Sequence, residues 1–258
     1  MLVDSHSHLD AAEFDHDRPA VLQRARDAGV TRHIVCGTDA DQWTRMRSVC
    51  VQALGLHAAY GLHPTFLSLH RPEHLGLLRE WIGRERPVAV GECGLDYFVE
   101  GLDRDAQMEY FDAQLRIARE FNLPVVAHAR RAVDAVIAAI RRIGGLRGVV
   151  HSFPGSRQQA DQLFEHGFLL GFGGPVTYER AQRLRRVVAE IPLEAMLLET
   201  DSPDQPDAGI RGQRNEPARL AQVLHTVAEL RGADPACIAA ATSANAERLF
   251  ALPPASPR

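Results

Sequence analysis

The chain has 258 residues, 45% of them hydrophobic and 24% charged, with a net charge of −4. That composition is ordinary for a globular protein and long enough to bury a core without disulfides, which excludes bulk disorder and a small disulfide-stapled fold. The charge balance also excludes a protein that coats nucleic acid through overall basicity.

All 29 basic residues are arginine. Without lysine there is no Schiff-base amine, no P-loop lysine and no carbamylated lysine to bridge metals. Cys36, Cys50, Cys93 and Cys237 are scattered with no CxxC pair, which suits a reducing compartment. No apolar run approaches the roughly 20 residues of a membrane helix. The opening MLVDSHSHLD lacks a basic segment followed by an apolar one. A soluble cytoplasmic protein is the expectation, with no membrane and no obligate protein partner.

In chain order, short apolar runs predict strands at 2–4, 32–36, 57–60, 88–91, 125–127, 148–150, 168–170 and 196–198. Amphipathic stretches predict helices at 19–28, 41–53, 72–83, 105–121, 132–143, 157–166, 178–190 and 216–231, with a further helix at 234–250. In 105–121, Met108, Phe111, Leu115, Ile117 and Ala118 share one helix face. Pro19 suits a first helical turn and Ser156 suits an N-cap. Eight strands alternating with eight helices point to an α/β chain folded as a single (β/α)₈ TIM barrel over 1–250. A doubly wound sheet is the rival, but the first strand runs into SHSH and not GxGxxG. The Pro-rich tail at 251–258 is expected to fray.

Candidate ligands sit where these strands end. His6 and His8, at i and i+2 in an extended segment, face one side and can reach one ion. With 12 histidines, about half an HxH is expected by chance, so that pair alone decides little. Glu92, His128, His151 and Asp201 follow four other apolar runs. In a barrel those carboxyl ends share one mouth, so six groups converge. Imidazole and carboxylate without thiolate suit two divalent metal ions, Zn²⁺, Mn²⁺ or Mg²⁺, with Glu92 as bridge where lysine is missing. The bland alternative, a separate buried polar residue at each place, has to be invoked five times.

These segments carry a family resemblance. DSHSHLD (4–10), GLHP (61–64), GECGLDY (91–97), PVVAHAR (124–130), HSFPG (151–155), LLETDSP (197–203) and RNEP (214–217) resemble the TatD-type metal-dependent deoxyribonucleases, amidohydrolase-like barrels, nearly end to end. The resemblance implies metal ligands at His6, His8, Glu92, His128, His151 and Asp201. It also implies divalent-metal hydrolysis of phosphodiesters with DNA as substrate; the leading expectation is a two-metal phosphodiesterase that cuts DNA from an end or as single strands. HSFPG for HCFSG and SHSH for THCH are departures that touch no ligand.

His63 is read as a phosphate contact or proton donor and Arg130 as a phosphate fork, against a turn histidine and a mouth salt bridge. Asp201 and Glu92 complete the catalytic set. Asp96 is read as a structural neighbour of the site, and Asn215 with Glu216 as the start of the last barrel helix or as ligand-orienting groups, helix capping being favoured. The remaining histidines have no strand-end logic. The alternative function is a metal-dependent hydrolase of a small-molecule amide, lactone or phosphoester; a non-catalytic interaction protein is the third possibility.

Overall fold

The computed structural model describes residues 1–253; residues 254–258 of the Pro-rich tail lie outside them. Eight parallel strands run in sequential order: β1 Leu2–Ser7, β2 Val30–Cys36, β3 Leu56–Tyr60, β4 Ala89–Asp96, β5 Val125–Arg130, β6 Gly148–Val150, β7 Phe168–Phe172 and β8 Met196–Leu198. The barrel closes just past β8, where Asp201 N donates to His6 O (2.9 Å) and His8 N to Ser202 O (2.8 Å). The TIM barrel expected from the alternation is the fold.

Outside lie α1 Arg18–Asp27, α2 Trp43–Gln52, α3 Glu73–Glu85, α4 Arg104–Glu120, α5 Val133–Ile143, α6 Arg157–Glu165, α7 Gln182–Glu190, α8 Leu220–Arg231 and α9 Pro235–Phe250. Their starts have local causes. Pro19 sits in the first turn of α1. Ser156 and Gln159 form a reciprocal capping box on α6. Asp103 accepts from Asp105 N (2.9 Å) and Ala106 N (3.1 Å) at α4. The helix expected from 178 starts at 182, because residues 178–181 close a separate turn, with Ala181 N bonded to Tyr178 O (2.9 Å).

Two apolar layers hold the barrel. Between strands and helices pack residues such as Val90, Phe111, Leu115, Val136, Leu170 and Val227, all with no exposed surface. Inside, Val3, Ile34, Ala59, Val126, Val149 and Leu197 meet Leu249 and Phe250 of α9. Leu252 joins this inner cluster and is buried, its N–H bonded to Glu247 O (3.0 Å). The beginning of the tail, expected to fray, is therefore held at Leu252. Burying a side chain of this size is worth about 1.5–3 kcal/mol.

Strands β1, β4 and β5 run further than expected and take in His6, Glu92 and His128. Apolar periodicity ends at the first polar residue, whereas the ladder continues through these groups because they bury one another.

Candidate metal centre

Helix α4 braces the mouth from outside. Gln107 and Gln114, seven residues apart, lie on one buried face. Gln107 Oε1 accepts from Asp96 N (2.7 Å) and its Nε2 donates to Asp96 O (3.0 Å). Gln114 makes the same pair with Leu62 N (2.8 Å) and Leu62 O (3.0 Å), just ahead of His63. Each side-chain amide satisfies backbone groups that the sheet leaves unpaired. Gly94, at φ 147°, has no room for a side chain: a Cβ would stand 2.1 Å from His128 O.

The six groups expected at the mouth are brought together, and Glu92 lies at their centre. Its Oε2 is 3.0 Å from His6 Nε2 and 3.4 Å from His8 Nε2. Asp201 Oδ1 is 3.4 Å from both of those nitrogens. The other oxygen, Oε1, is 3.0 Å from His128 Nδ1 and 2.8 Å from His151 Nε2. His63 joins this second group, with Nε2 2.9 Å from Oε1. One carboxylate thus faces two nests of donor atoms.

The ring tautomers test whether the nests suit a cation. His8 Nδ1 is 2.9 Å from Cys36 O, which can only accept, so the neutral ring carries its proton there. Its Nε2 lone pair then points at two carboxylate oxygens. His128 Nε2 is 3.0 Å from Asp96 Oδ2, and the carboxyl of Asp96 lies at about 2 because His128 and two backbone N–H groups outweigh its burial. That ring's proton sits on Nε2, leaving the Nδ1 lone pair facing Glu92 and His151. Lone pairs facing lone pairs at these distances repel unless positive charge, a second proton on the ring or a metal ion, lies between them. These clusters of imidazole and carboxylate donors fit divalent metal. His151 Nδ1 and Glu199 Oε2 are buried without a partner, and His151 Nδ1 lies 3.8 Å from Glu199 Oε1. Orienting a ring from its far nitrogen is the usual way a metal-binding histidine is aimed.

His63 is different. Its Nδ1 accepts from Thr65 N (3.2 Å), so the neutral ring carries its proton on Nε2 and donates to Glu92. Burial pushes its pKa down to about 4, keeping it neutral.

The electrostatics favour positive charge at the nests. Burial opposes ionisation of Glu92, yet the surrounding histidines hold it well below the usual carboxylate range. Asp201 is likewise held at about 2 by its histidines in spite of burial. Burial lowers His6, whereas Asp201 and Glu92 overcome burial to raise His8 well above its ordinary value. Glu92 similarly raises His151 to about 9. Asp201 occupies the left-handed region at φ 57°, a costly conformation of the kind that clusters at functional sites. Gln205 Nε2 donates to its Oδ2, leaving Oδ1 for the nest.

Arg130 lines the same cavity but does not reach the nests; its guanidinium lies 3.7 Å over the Phe98 ring. Asp96 bears on the site directly, through His128. Asn215 does not cap the last barrel helix. Its Nδ2 donates to Thr200 O (2.9 Å) and Asp204 O (2.8 Å), tying down the loop that carries Asp201, while Glu216 is bound by Arg24. A capping reading fails because a 3₁₀ turn at Pro217–Arg219 intervenes before α8. Sequence reasoning also missed buried Asp4, which accepts from Thr200 N (2.9 Å) and Thr200 Oγ1 (2.6 Å) beneath Asp201. Glu199 was missed too, although an acid after MLL was a visible signal. Burial raises it to about 8, and Ser152 N donates to its Oε1. Gly171 makes room for it: a Cβ there would lie 2.1 Å from Glu199 Oε2.

Comparison with known proteins agrees with this geometry. The family model for TatD related DNase matches residues 3–251. The uncharacterized metal-dependent hydrolase YjjV of Escherichia coli K12 is 40% identical over 254 residues, covering 97% of this chain and 98% of its own. A Cronobacter sakazakii protein named 3'-5' ssDNA/RNA exonuclease TatD is 37% identical, covering 97% of each chain. The crystal structure of YjjV, a TatD homologue, superposes with a TM-score of 0.93 at 39% identity and 98% coverage of both chains. An Entamoeba histolytica TatD family hydrolase follows at 0.84 and 21% identity, which speaks for the fold. With its barrel, its clusters able to hold metal and these relatives, the chain belongs to the TatD-related DNase family of metal-dependent hydrolases.

Proposed function

We propose that the chain is a binuclear phosphodiesterase that acts on DNA, from an end or on single strands. The observation that carries this reading is Glu92, whose two oxygens face separate nests of histidine nitrogens. His6, His8 and Asp201 would hold one divalent ion, His128 and His151 the other, with Glu92 between them. The ions, of zinc, manganese or magnesium, would supply Lewis acidity toward a phosphoryl oxygen and a lowered pKa for water.

The chain's own residues do the rest. Asp201 is ionised at neutral pH and accepts the proton of the attacking water by position, not through a raised pKa. Neutral His63, whose Nε2–H lies beside Glu92 at the second nest, would offer that hydrogen bond to a phosphoryl or leaving oxygen without giving up the proton, and the leaving oxygen takes its proton from solvent. Asp96, through His128, and Cys36 O, through His8, fix the tautomers that aim ligand lone pairs inward. Arg130 offers a charge for a flanking phosphate.

The cavity above the nests, about 1470 Å³, supports a polymer over a small ester. Small-molecule sites are typically about 300–1,000 Å³. The test is purified protein with Mg²⁺, Mn²⁺ or Zn²⁺ on labelled single-stranded DNA, on a dinucleotide, and on a panel of amides and lactones. Metal-dependent release of nucleotides is expected. Turnover of amides or lactones with no attack on either phosphodiester would overturn the reading.

A further inference from the structure

The mouth is charged unevenly around its circumference. Arg130, at the end of β5, and Arg180 and Arg183, after β7, line the cavity and are exposed. Their visible partners are neutral. Arg130 lies over Phe98, Arg180 lies 5.4 Å over Tyr178, and Arg183 donates to Pro154 O (2.9 Å). Among the described residues none of the three is within 4.0 Å of a carboxylate. Such unspent guanidinium groups are available to phosphates.

The opposite arc, formed by the segments after β8, β1 and β2, is acidic. Glu13 and Asp204 line the cavity and are exposed, with buried Asp10 and Asp39 beneath them. The cation on that side, Arg45, is spent on Asp15 and on Asp10 O (2.8 Å).

Two aromatic rings stand on the arc before the arginines. Phe66, after β3, lines the cavity, is 38% exposed and meets the edge of the His63 ring at 5.9 Å between centroids. Phe98, after β4, stands just outside the cavity lining, is 42% exposed and is covered by Arg130, with Arg131 at 4.6 Å, so it supports the Arg130 guanidinium and leaves Phe66 as the ring with a face to offer. Solvent-facing rings of this size cost free energy to leave in water. Rings beside unpaired cations are how proteins hold single strands, by stacking unpaired bases and neutralising phosphates. Paired bases in a duplex offer no free face to such rings.

We infer that this mouth is a one-sided track, on which a single-stranded polynucleotide leaves the centre across the arc carrying Phe66, Arg130, Arg180 and Arg183. The inference rests on the phosphodiesterase reading and adds a direction to it. A strand threaded through the mouth would lay its phosphates against Glu13 and Asp204 on the far side, where like charges repel. A strand that stops at the centre avoids them. The asymmetry selects strand ends.

The test uses the metal-loaded full chain, a labelled linear 20-nucleotide strand, a dinucleotide, and a circular single strand of the same composition. Wild-type protein should shorten the linear strand and leave the circle intact. In the Arg180→Glu/Arg183→Glu variant, the ratio of KM for the 20-mer to KM for the dinucleotide should rise tenfold or more. With about 0.7 ions released per single-strand phosphate contact, the salt slope should fall by about 1.4. Arg180→Gln/Arg183→Gln should give a smaller shift in the same direction, separating charge loss from misfolding. Glu13→Arg/Asp204→Arg should begin to cut the circle. An unchanged KM ratio in the charge-reversed variant, or wild-type cleavage of the circle, would overturn the track. Failure of wild-type protein on every phosphodiester would instead overturn the underlying phosphodiesterase reading.

Discussion

Glu92→Gln separates a shared carboxylate from a set of independent polar contacts. The substitution preserves shape but removes the charge and converts one oxygen into an NH₂ donor. Oε2 faces His6 and His8, and Oε1 faces His63, His128 and His151, all within 2.8–3.4 Å. Whichever way the amide turns, one nest loses its oxygen and both lose the negative charge. Removing one partner of a buried charge interaction costs about 3–5 kcal/mol. At about 1.4 kcal/mol per tenfold, affinity should fall by roughly two to three and a half powers of ten. The nest that receives the NH₂ group should lose more. Competition against a chromophoric chelator, with elemental analysis after dialysis, reads both ions. His128→Ala is the control, because it touches one nest and should chiefly weaken one ion. Two ions per chain at wild-type affinity in Glu92→Gln would refute the shared role.

Other outcomes follow from the same geometry. Asp201→Asn, measured at saturating metal, should lower kcat by roughly a hundredfold or more, the scale of a lost general base; near-normal turnover would leave Asp201 as a ligand only. Exhaustive chelation should abolish hydrolysis reversibly. It should also lower Tm by about 10–20 °C, since each of two ions at 100 times its Kd contributes about 2.7 kcal/mol; full activity in metal-free protein would contradict the scheme. At pH 8, iodoacetamide should modify Cys237 first. That thiol is exposed, whereas burial pushes Cys50 up to about 12 and raises Cys36 and Cys93 further into the protonated form; mass spectrometry of a time course distinguishes them.

The barrel was readable because its strands are apolar runs separated by amphipathic helices, a pattern that tertiary contacts reinforce. Boundaries were less so. Strands β1, β4 and β5 continue through His6, Glu92 and His128, and no single-chain periodicity shows that one polar group will bury another from a different strand. The convergence of six groups followed from position alone, since the carboxyl ends of barrel strands share one mouth. The features that make the centre specific are non-local. Cys36 O fixes His8, Asp96 fixes His128, and Asn215 staples the Asp201 loop from a distance in sequence. Gln107 and Gln114 could have been found as two glutamines seven apart within an apolar helical stripe. Leu252 shows the limit of composition: a Pro-rich tail still buries its first leucine where it packs with Leu249 and Phe250 at the end of α9.

The most direct measurement of the central claim is anomalous X-ray scattering from crystals of this protein soaked in Mn²⁺ or Zn²⁺. Two peaks are expected, one among His6, His8 and Asp201 and the other among His128 and His151, each within bonding distance of a different Glu92 oxygen. A single peak, or peaks that leave Glu92 uncoordinated, would contradict the account.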